Sequence, residues 1–236
     1  MTKRCTDTAL SGMPPVAVEW RRTPRARRIS LRVSRLDGRV TLTLPPQVPR
    51  ATAEAFLHER QEWLRAALAE AHAPCPVAAG TWLPVAGVAL CVMPAATGTV
   101  AIEGDRLLVP ERGAPGPRVA AWLKLRARDR LAEAVEVYAA RLGRTPRSLR
   151  LRDTRSRWGS CSSGGDLMFS WRLVMAPPAV LAYVAAHEVA HLAQMNHSSA
   201  YWKTLAGLMP DYSAPRAWLR AEGGALHRYR FAAGSG

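Results

Sequence analysis

The segment His187-Glu188-Val189-Ala190-His191, followed six residues later by His197, carries three imidazoles and one carboxylate within eleven residues. In an α-helix, positions four residues apart differ by about 400° of rotation, so His187 and His191 project from one face, one turn apart. Glu188 is offset by about 100° from His187. Two imidazoles on one helical face with a glutamate beside them are the pattern of a hydrolytic zinc site, in which the glutamate is the general base.

A third ligand is expected, because a catalytic zinc ion keeps three protein ligands and leaves one position open for water. His197 is the candidate. Asn196 before it tolerates the left-handed conformation at a helix end, so a chain that turns back there brings His197 to the other two histidines. The pattern therefore predicts one catalytic Zn²⁺ ion, with Glu188 as the catalytic residue. Its predicted ligands are His187, His191 and His197.

The residues before this segment predict that it lies on a buried helix. Pro177 and Pro178 suit a first helical turn, where a missing N–H costs nothing. An apolar side leads from them to the histidines through Val180, Leu181, Val184 and Ala185. We therefore expect the ligands on a face that packs against the core.

A β-hairpin is predicted just upstream of this helix. Residues 157–162 and 167–174 flank the pair Gly164-Gly165, which suits a turn. In an arrangement of this kind, a strand at the edge of the sheet can pair with an extended peptide through main-chain hydrogen bonds. The strand that carries Trp158, Gly159 and Ser160 is the candidate for this substrate-binding edge.

Further motifs surround the histidine segment. In chain order they are Arg157-Trp158-Gly159-Ser160-Cys161-Ser162, Phe169-Ser170-Trp171-Arg172-Leu173, Ala176-Pro177-Pro178, Tyr183-Val184, Met195-Asn196-His197-Ser198, Tyr201-Trp202 and Met209-Pro210-Asp211-Tyr212. Together with the histidine segment they resemble the YgjP-like metallopeptidase family, a branch of the zincins akin to SprT-type proteases. The resemblance is specific from about Leu149 to Gly223, and it is weaker over the N-terminal half, where it rests on Arg27-Arg28-Ile29-Ser30-Leu31-Arg32-Val33 and Trp63.

This resemblance implies a zincin-like metallopeptidase. It matches His187, His191 and His197 to the metal ligands of the family, and Glu188 to its catalytic glutamate. The chain departs mildly from the family pattern, with Ser170 where Asn is common and Tyr201 where Phe is common. Neither position is a predicted ligand.

The N-terminal part of the chain predicts a β-rich region with one helix, residues 1–112. Residues 16–21, 28–33 and 39–44 alternate like strands, and Asp37-Gly38 suits a hairpin turn between the last two. Residues 52–71 have helical periodicity. Further strands are predicted at residues 85–92 and on either side of Gly104-Asp105.

A Gly and Pro cluster at residues 113–117 predicts a boundary after this region. Residues 113–223 are predicted to form the zincin-like domain, an active-site helix packed on a small antiparallel sheet. A long helix that is capped by Gly143 opens this domain. Residues 224–236 are predicted as a flexible C-terminal tail, and the fold class of the whole chain as α+β.

Three more side chains are candidates for supporting roles. Asp211 suits a carboxylate that accepts a hydrogen bond from a ligand histidine, or equally an exposed turn residue after Pro210. Tyr212 or Arg157 can stabilise the oxyanion that forms during hydrolysis. Nothing in the sequence chooses between them.

The chain is strongly basic, with 33 Lys and Arg against 18 Asp and Glu, a net charge of +15. Nearly all of the basic residues are Arg, which binds phosphate and carboxylate groups in bidentate fashion. A basic surface of this kind allows nucleotides and nucleic acid as binding partners. The dense clusters at residues 21–28 and 144–157 alternate with apolar residues, however. This alternation favours the solvated outer faces of strands.

The four cysteines form no CxxC pair, which argues against a zinc ribbon and against a disulfide-stapled secreted domain. Cys161 lies beside the predicted site, but three histidines already complete a catalytic ligand set. Residues 73–102 carry no charge, yet their prolines and glycines leave no interval long enough for a spanning helix. The first twenty residues lack the apolar core of a signal peptide. We therefore expect no membrane association and a cytoplasmic location.

These features predict a zinc-dependent hydrolase, in the first place a metallopeptidase acting on an unfolded or extended peptide. The same metal chemistry reaches phosphoanhydrides, so a metal-dependent nucleotide pyrophosphatase is the alternative. A third hypothesis is a nucleic-acid-associated protein with a structural zinc ion. The glutamate of the motif and the open fourth ligand position speak against it.

Overall fold

The computed structural model describes residues 4–6, 16–34, 38–69, 73–96 and 98–232. The chain divides into two compact units, Met1–Pro74 and Cys75–Gly236. Both units combine helices with small β-sheets. This architecture confirms the predicted α+β class.

The first unit contains a four-stranded sheet. Its strands are β1 (Arg4–Thr6), β2 (Val18–Arg22), β3 (Ser30–Val33) and β4 (Val40–Leu44), in the order β1-β2-β4-β3. β3 and β4 are antiparallel, as the predicted turn requires, although residues 35–37 lie outside the described residues. Trp20, Leu42 and Leu44 are buried, whereas Arg21 and Arg32 are exposed. Arg21 and Arg32 therefore lie on the solvated faces of strands, whereas Arg22 is half-buried and donates hydrogen bonds to the carbonyl oxygens of Pro46 and Val48.

The helix predicted at residues 52–71 is two helices, α1 (Arg50–Glu59) and α2 (Gln61–Ala69). Arg60 between them leaves the helical conformation, with φ −97° and ψ 11°. Neither Pro nor Gly stands at this position, so the sequence carries no signal for the break. Leu57 of α1 and Leu64 of α2 are fully buried in the core of this unit. Residues 70–72 lie outside the described residues.

The second unit begins with β5 (Cys75–Pro76) and a four-stranded sheet. The strands of this sheet are β6 (Trp82–Val85), β7 (Val88–Ala95), β8 (Ala101–Glu103) and β9 (Arg106–Pro110), in the order β6-β7-β9-β8. The turn between β6 and β7 has Gly87 at φ +79°, which a glycine adopts without strain. A Cβ atom at Gly87 would also lie 3.1 Å from Pro177. This sheet is thereby held closely against the start of the histidine helix.

The long helix α3 (Pro115–Leu142) follows, and Gly143 caps it in the left-handed conformation, as predicted. Leu123 and Leu131 of α3 are fully buried and share one core with Leu83 and Leu107 of the preceding sheet. Because these side chains pack together, the Gly and Pro cluster at residues 113–117 lies inside the second unit. The division between the units falls earlier, between Pro74 and Cys75.

A three-stranded sheet and the remaining helices complete this unit. The strands are β10 (Ser148–Arg152), β11 (Gly159–Cys161) and β12 (Asp166–Ser170), and the helices are α4 (Pro178–Ala190), α5 (Ser199–Leu208) and α6 (Ser213–Ala221). The sheet order is β10-β12-β11, with β10 parallel and β11 antiparallel to β12. The strand predicted at residues 167–174 stops at Ser170, because Trp171–Met175 form a 3₁₀ helix in which every side chain is buried.

The C-terminal residues differ from the predicted flexible tail. A 3₁₀ helix (Gly223–Arg228) and β13 (Tyr229–Arg230) return to the unit, and β13 pairs with β5. Arg172, only 6% exposed, donates hydrogen bonds to the carbonyl oxygens of Leu226 and Tyr229 and to both carboxylate oxygens of Asp153. A buried guanidinium needs such acceptors, so Arg172 ties the C-terminal segment to the sheet. Residues 233–236 lie outside the described residues.

The uncharged stretch at residues 73–102 forms short strands rather than a helix. Its prolines fall at strand positions such as Pro76, Pro84 and Pro94. In the part of the chain that the structure describes, no helix is both long enough and apolar enough to cross a bilayer.

Candidate metal centre

Helix α4 positions the first two histidines. Pro177 is its N-cap and Pro178 its first residue, as the sequence predicts. The helix ends at Ala190, so His187 and His191 lie one turn apart at its C-terminal end. A helix leaves its last carbonyl groups without intrahelical partners. The hydroxyl group of Tyr201 donates a hydrogen bond of 3.1 Å to one of them, the carbonyl of His187.

The chain turns back after α4 and brings His197 to this pair. The candidate ligand atoms of His187, His191 and His197 lie within 4.8 Å of one another. The Nε2 atoms of His187 and His197 are 3.2 Å apart. Two nitrogen ligands on a tetrahedral zinc ion, each at about 2.0–2.1 Å, are separated by about 3.3 Å. The three side chains therefore fit a metal ion of this size, and exposed His197 leaves one side open to solvent.

Tyr201 supports all three imidazoles. It is fully buried, stacks on His191 with ring centroids 4.6 Å apart, and presents its ring to His187 at 5.3 Å and His197 at 4.7 Å. The Nδ1 atom of His191 lies 2.9 Å from the main-chain carbonyl oxygen of Gln194. When Nδ1 carries the proton and donates it to that oxygen, Nε2 is free to bind a metal ion.

The surroundings keep two of these imidazoles neutral. Burial, reinforced by the neighbouring His191 and His197, lowers the pKa of His187 to about 4. Burial also lowers the pKa of His191. Because a metal ion binds only the neutral imidazole, protons compete weakly for these nitrogens at neutral pH.

Glu188 lies beside the histidines in a confined position. It is 5% exposed, and burial raises the pKa of its carboxyl group to about 8, while the charge of Arg157 opposes this rise. A bound dication would also oppose it. The main chain of Gly159 packs directly on this carboxylate, since a Cβ atom there would lie 2.5 Å from Oε1 of Glu188. Gly159 thus confines the carboxylate from the side of β11.

The predicted hairpin is formed by β11 and β12 and lies beside Glu188, and β11 is an edge strand of its sheet. Gly159 is at the start of β11 and Ser160 at its centre. Trp158, just before the strand, packs on His227 with ring centroids 4.9 Å apart. His227 is 3% exposed, although it lies in the segment that was predicted to be a flexible tail. The returning C-terminal segment therefore supports the hairpin through Trp158.

Cys161 is half-buried at the end of β11 and does not belong to the histidine cluster. Its Sγ atom donates to the carbonyl oxygen of Ser162 at 3.3 Å. Burial raises the pKa of the thiol to about 11, and only a thiolate is a good metal ligand. This agrees with a ligand set made of histidines alone.

A model of the YgjP-like metallopeptidase domain matches residues 27–222 of the chain. The chain belongs to this family. Among solved structures, the crystal structure of the metallopeptidase zymogen of Pyrococcus abyssi abylysin is similar at 21% identity, with a TM-score of 0.35, over 39% of this chain and 92% of that chain. No curated protein matches. The family match includes His187, Glu188, His191 and His197, so a metal-dependent peptidase is the activity at family level.

The other predicted residues surround this centre in different ways. Asp211 is exposed, and the carbonyl of Gln194, not Asp211, contacts the ring nitrogen of His191. Tyr212 is half-buried and stacks on Trp202 with ring centroids 5.8 Å apart. Arg157 is exposed, and its charge reaches Glu188.

Arg216 is a neighbour of the centre that the sequence did not single out. Its guanidinium carbon lies 4.5 Å from the ring centroid of Trp202, whose ring is 5.8 Å from that of His197. The charge of Arg216 also contributes to lowering the pKa of His187. The sequence did contain a signal for Arg216: it follows the candidate residue Tyr212 by four positions, and residues at this spacing share one face of a helix.

Proposed function

We propose that this protein is a zinc-dependent peptidase of the HExxH type, which cleaves unfolded or extended peptides. His187, His191 and His197 hold one catalytic zinc ion, and Glu188 is the general base. The observation that carries this proposal is the convergence of three imidazoles beside a buried carboxylate, at an edge strand.

Each residue has a defined task in this proposal. A zinc ion held by His187, His191 and His197 would acidify a bound water molecule and polarise the peptide carbonyl group. Glu188 accepts the proton of the attacking water and passes it to the amine of the leaving group. Gly159 confines the carboxylate of Glu188, and Tyr201 holds the imidazoles in position. Arg157 and Tyr212 are the two candidates for stabilising the oxyanion.

The substrate binds as an extra strand on β11. β11 is an edge strand of its sheet, and its first residue, Gly159, lies directly beside Glu188. Main-chain hydrogen bonding of this kind selects an extended backbone rather than a particular side chain. Folded proteins without a loose segment are therefore poor substrates.

The decisive test compares zinc-loaded wild type with Glu188→Gln on an unfolded protein and on a panel of nucleoside triphosphates. Glu136→Gln, at an exposed position of α3, is the matched control for the lost charge. We expect proteolysis by wild type and the control, and a loss of about 100-fold or more in Glu188→Gln with zinc retained. Glu188-dependent phosphate or pyrophosphate release without proteolysis would instead establish the nucleotide hydrolase. Equal proteolysis by Glu188→Gln would refute the general base.

The metal ligands are tested separately by metal content. His191→Ala should lose stoichiometric zinc, because two histidines and water bind the ion far more weakly than three. Tight stoichiometric zinc in this variant would place the metal site elsewhere in the chain.

A further inference from the structure

Three arginines near the metal centre are not held in ion pairs. Arg157, Arg216 and Arg220 form no ion pair and no hydrogen bond through their guanidinium groups with any residue that the structure describes. Charges at a protein surface are often unpaired, but Arg216 and Arg220 both lie on α6, which packs on the histidine helix α4.

Arg216 is the best positioned of the three. It is half-buried on α6, and its guanidinium lies 4.5 Å from the ring centroid of Trp202. Trp202 connects it to the metal centre through His197, at 5.8 Å between ring centroids. A cation held over an aromatic face keeps its N–H groups free to bind a planar anion. Arg216 is thus both oriented and unpaired.

The two acidic side chains next to the ends of α6 leave the charge of Arg216 unneutralised. Asp211 and Glu222 lie just beyond the two ends of α6 and are exposed, and neither forms an ion pair with Arg216. A dication held by the three histidines would add to the positive field. An anion supplied by the substrate would be attracted by both positive charges, most strongly when it contacts the half-buried guanidinium of Arg216 directly.

From this arrangement we infer that Arg216 is a specificity-determining residue, which binds a carboxylate group of the peptide substrate close to the scissile bond. This inference rests on the proposed peptidase function. The carboxylate belongs either to an Asp or Glu side chain or to the C-terminus of the substrate. A guanidinium binds either one through two parallel N–H···O hydrogen bonds.

The test uses one extended host peptide in which a single Glu is moved through all positions. A matched series carries Gln at the same positions, and each peptide is made with a free and with an amidated C-terminus. Wild-type turnover should favour one Glu position, or the free C-terminus, by about 10- to 100-fold in kcat/KM. Arg216→Gln should abolish this preference, and Arg216→Lys should restore part of it. Arg128→Gln, which removes an exposed charge from α3, should leave it unchanged.

Binding measured without turnover keeps the two proposals separate. In the Glu188→Gln background, fluorescence anisotropy should show tighter binding of the preferred acidic peptide than of its neutral partner. Arg216→Gln should remove this difference. Equal affinity, or no binding of either peptide, overturns the role of Arg216, whereas wild-type turnover alone decides the peptidase function. Arg216-dependent binding of a single-stranded oligonucleotide without peptide preference would also overturn it, in favour of phosphate recognition.

Discussion

Replacing Gly159 by alanine adds one methyl group at the place where the carboxylate of Glu188 lies. The new Cβ atom would be 2.5 Å from Oε1 and 2.6 Å from Cγ of Glu188, against an ordinary contact distance of about 3.5 Å. Gly159 has a strand conformation that alanine also adopts, so the backbone itself is not strained. The carboxylate must therefore move by about 1 Å.

The expected loss of activity follows from this displacement. Glu188 is 5% exposed, so its neighbours limit the directions in which it can move. A misplacement of about 1 Å in a catalytic group costs about 100-fold in rate. We expect kcat/KM to fall by about this factor in Gly159→Ala, while the three histidines and their zinc affinity stay nearly unchanged.

Three measurements on Gly159→Ala check this reasoning: peptide turnover, zinc content and thermal unfolding. Gly164→Ala is the matched control in the same hairpin, because the nearest atom to its added Cβ lies 3.8 Å away. Full activity of a folded, zinc-loaded Gly159→Ala would refute the claim that contact with Gly159 sets the position of Glu188. A joint loss of zinc and folding would show that the hairpin as a whole, not the carboxylate, is affected.

Three further perturbations test other contacts. Hydrogen bonds from Arg147 and Ser148 hold the pKa of Asp166 well below its usual range. These bonds to the ionised carboxylate stabilise the fold above its ordinary pKa of about 4, and this stabilisation is lost as the pH falls through the lowered pKa. Asp166→Asn should therefore unfold more readily than wild type in urea at neutral pH but not in strong acid; a pH-independent difference would argue against the ion pair. Arg172→Gln should lower the free energy of unfolding by about 2–4 kcal/mol, since buried carbonyl groups lose their donor, and proteolysis of the C-terminal segment should reveal the loosening. Tyr201→Phe should cost about 1 kcal/mol through the lost hydrogen bond to the His187 carbonyl, with zinc affinity nearly unchanged; a large loss of zinc affinity would show that the hydroxyl group positions the imidazole.

Much of the metal centre could be predicted from local patterns. It depends on residues that are close together in the chain: the four-residue spacing of His187 and His191 on a helix, and the prolines at the start of that helix. The cap of α3 at Gly143 is local in the same sense. The edge strand at Gly159 was predicted in the same way, from two segments around a glycine turn. The metal-binding and catalytic roles of these side chains stay proposals until the variants are measured.

Contacts between distant segments could not be predicted in this way. The pairing of β10 with β12 is parallel, and the 3₁₀ helix at Trp171–Met175 replaces the end of a predicted strand. The packing of His227 on Trp158 joins residues that no local pattern relates. The field of Arg216 at His187 likewise depends on how α6 packs on α4.

The sequence by itself determined the α+β class, the histidine helix and the hairpin beside it, because helical and strand periodicity, caps and turns act between near neighbours. Only the tertiary structure decided where the first unit ends, that residues 224–232 return to the core, and that Gly159 confines Glu188. The bond from Arg172 to the carbonyl of Leu226 spans 54 residues. Burial explains this bond, because a guanidinium group enclosed by apolar side chains is stable only when the fold brings hydrogen-bond acceptors next to it.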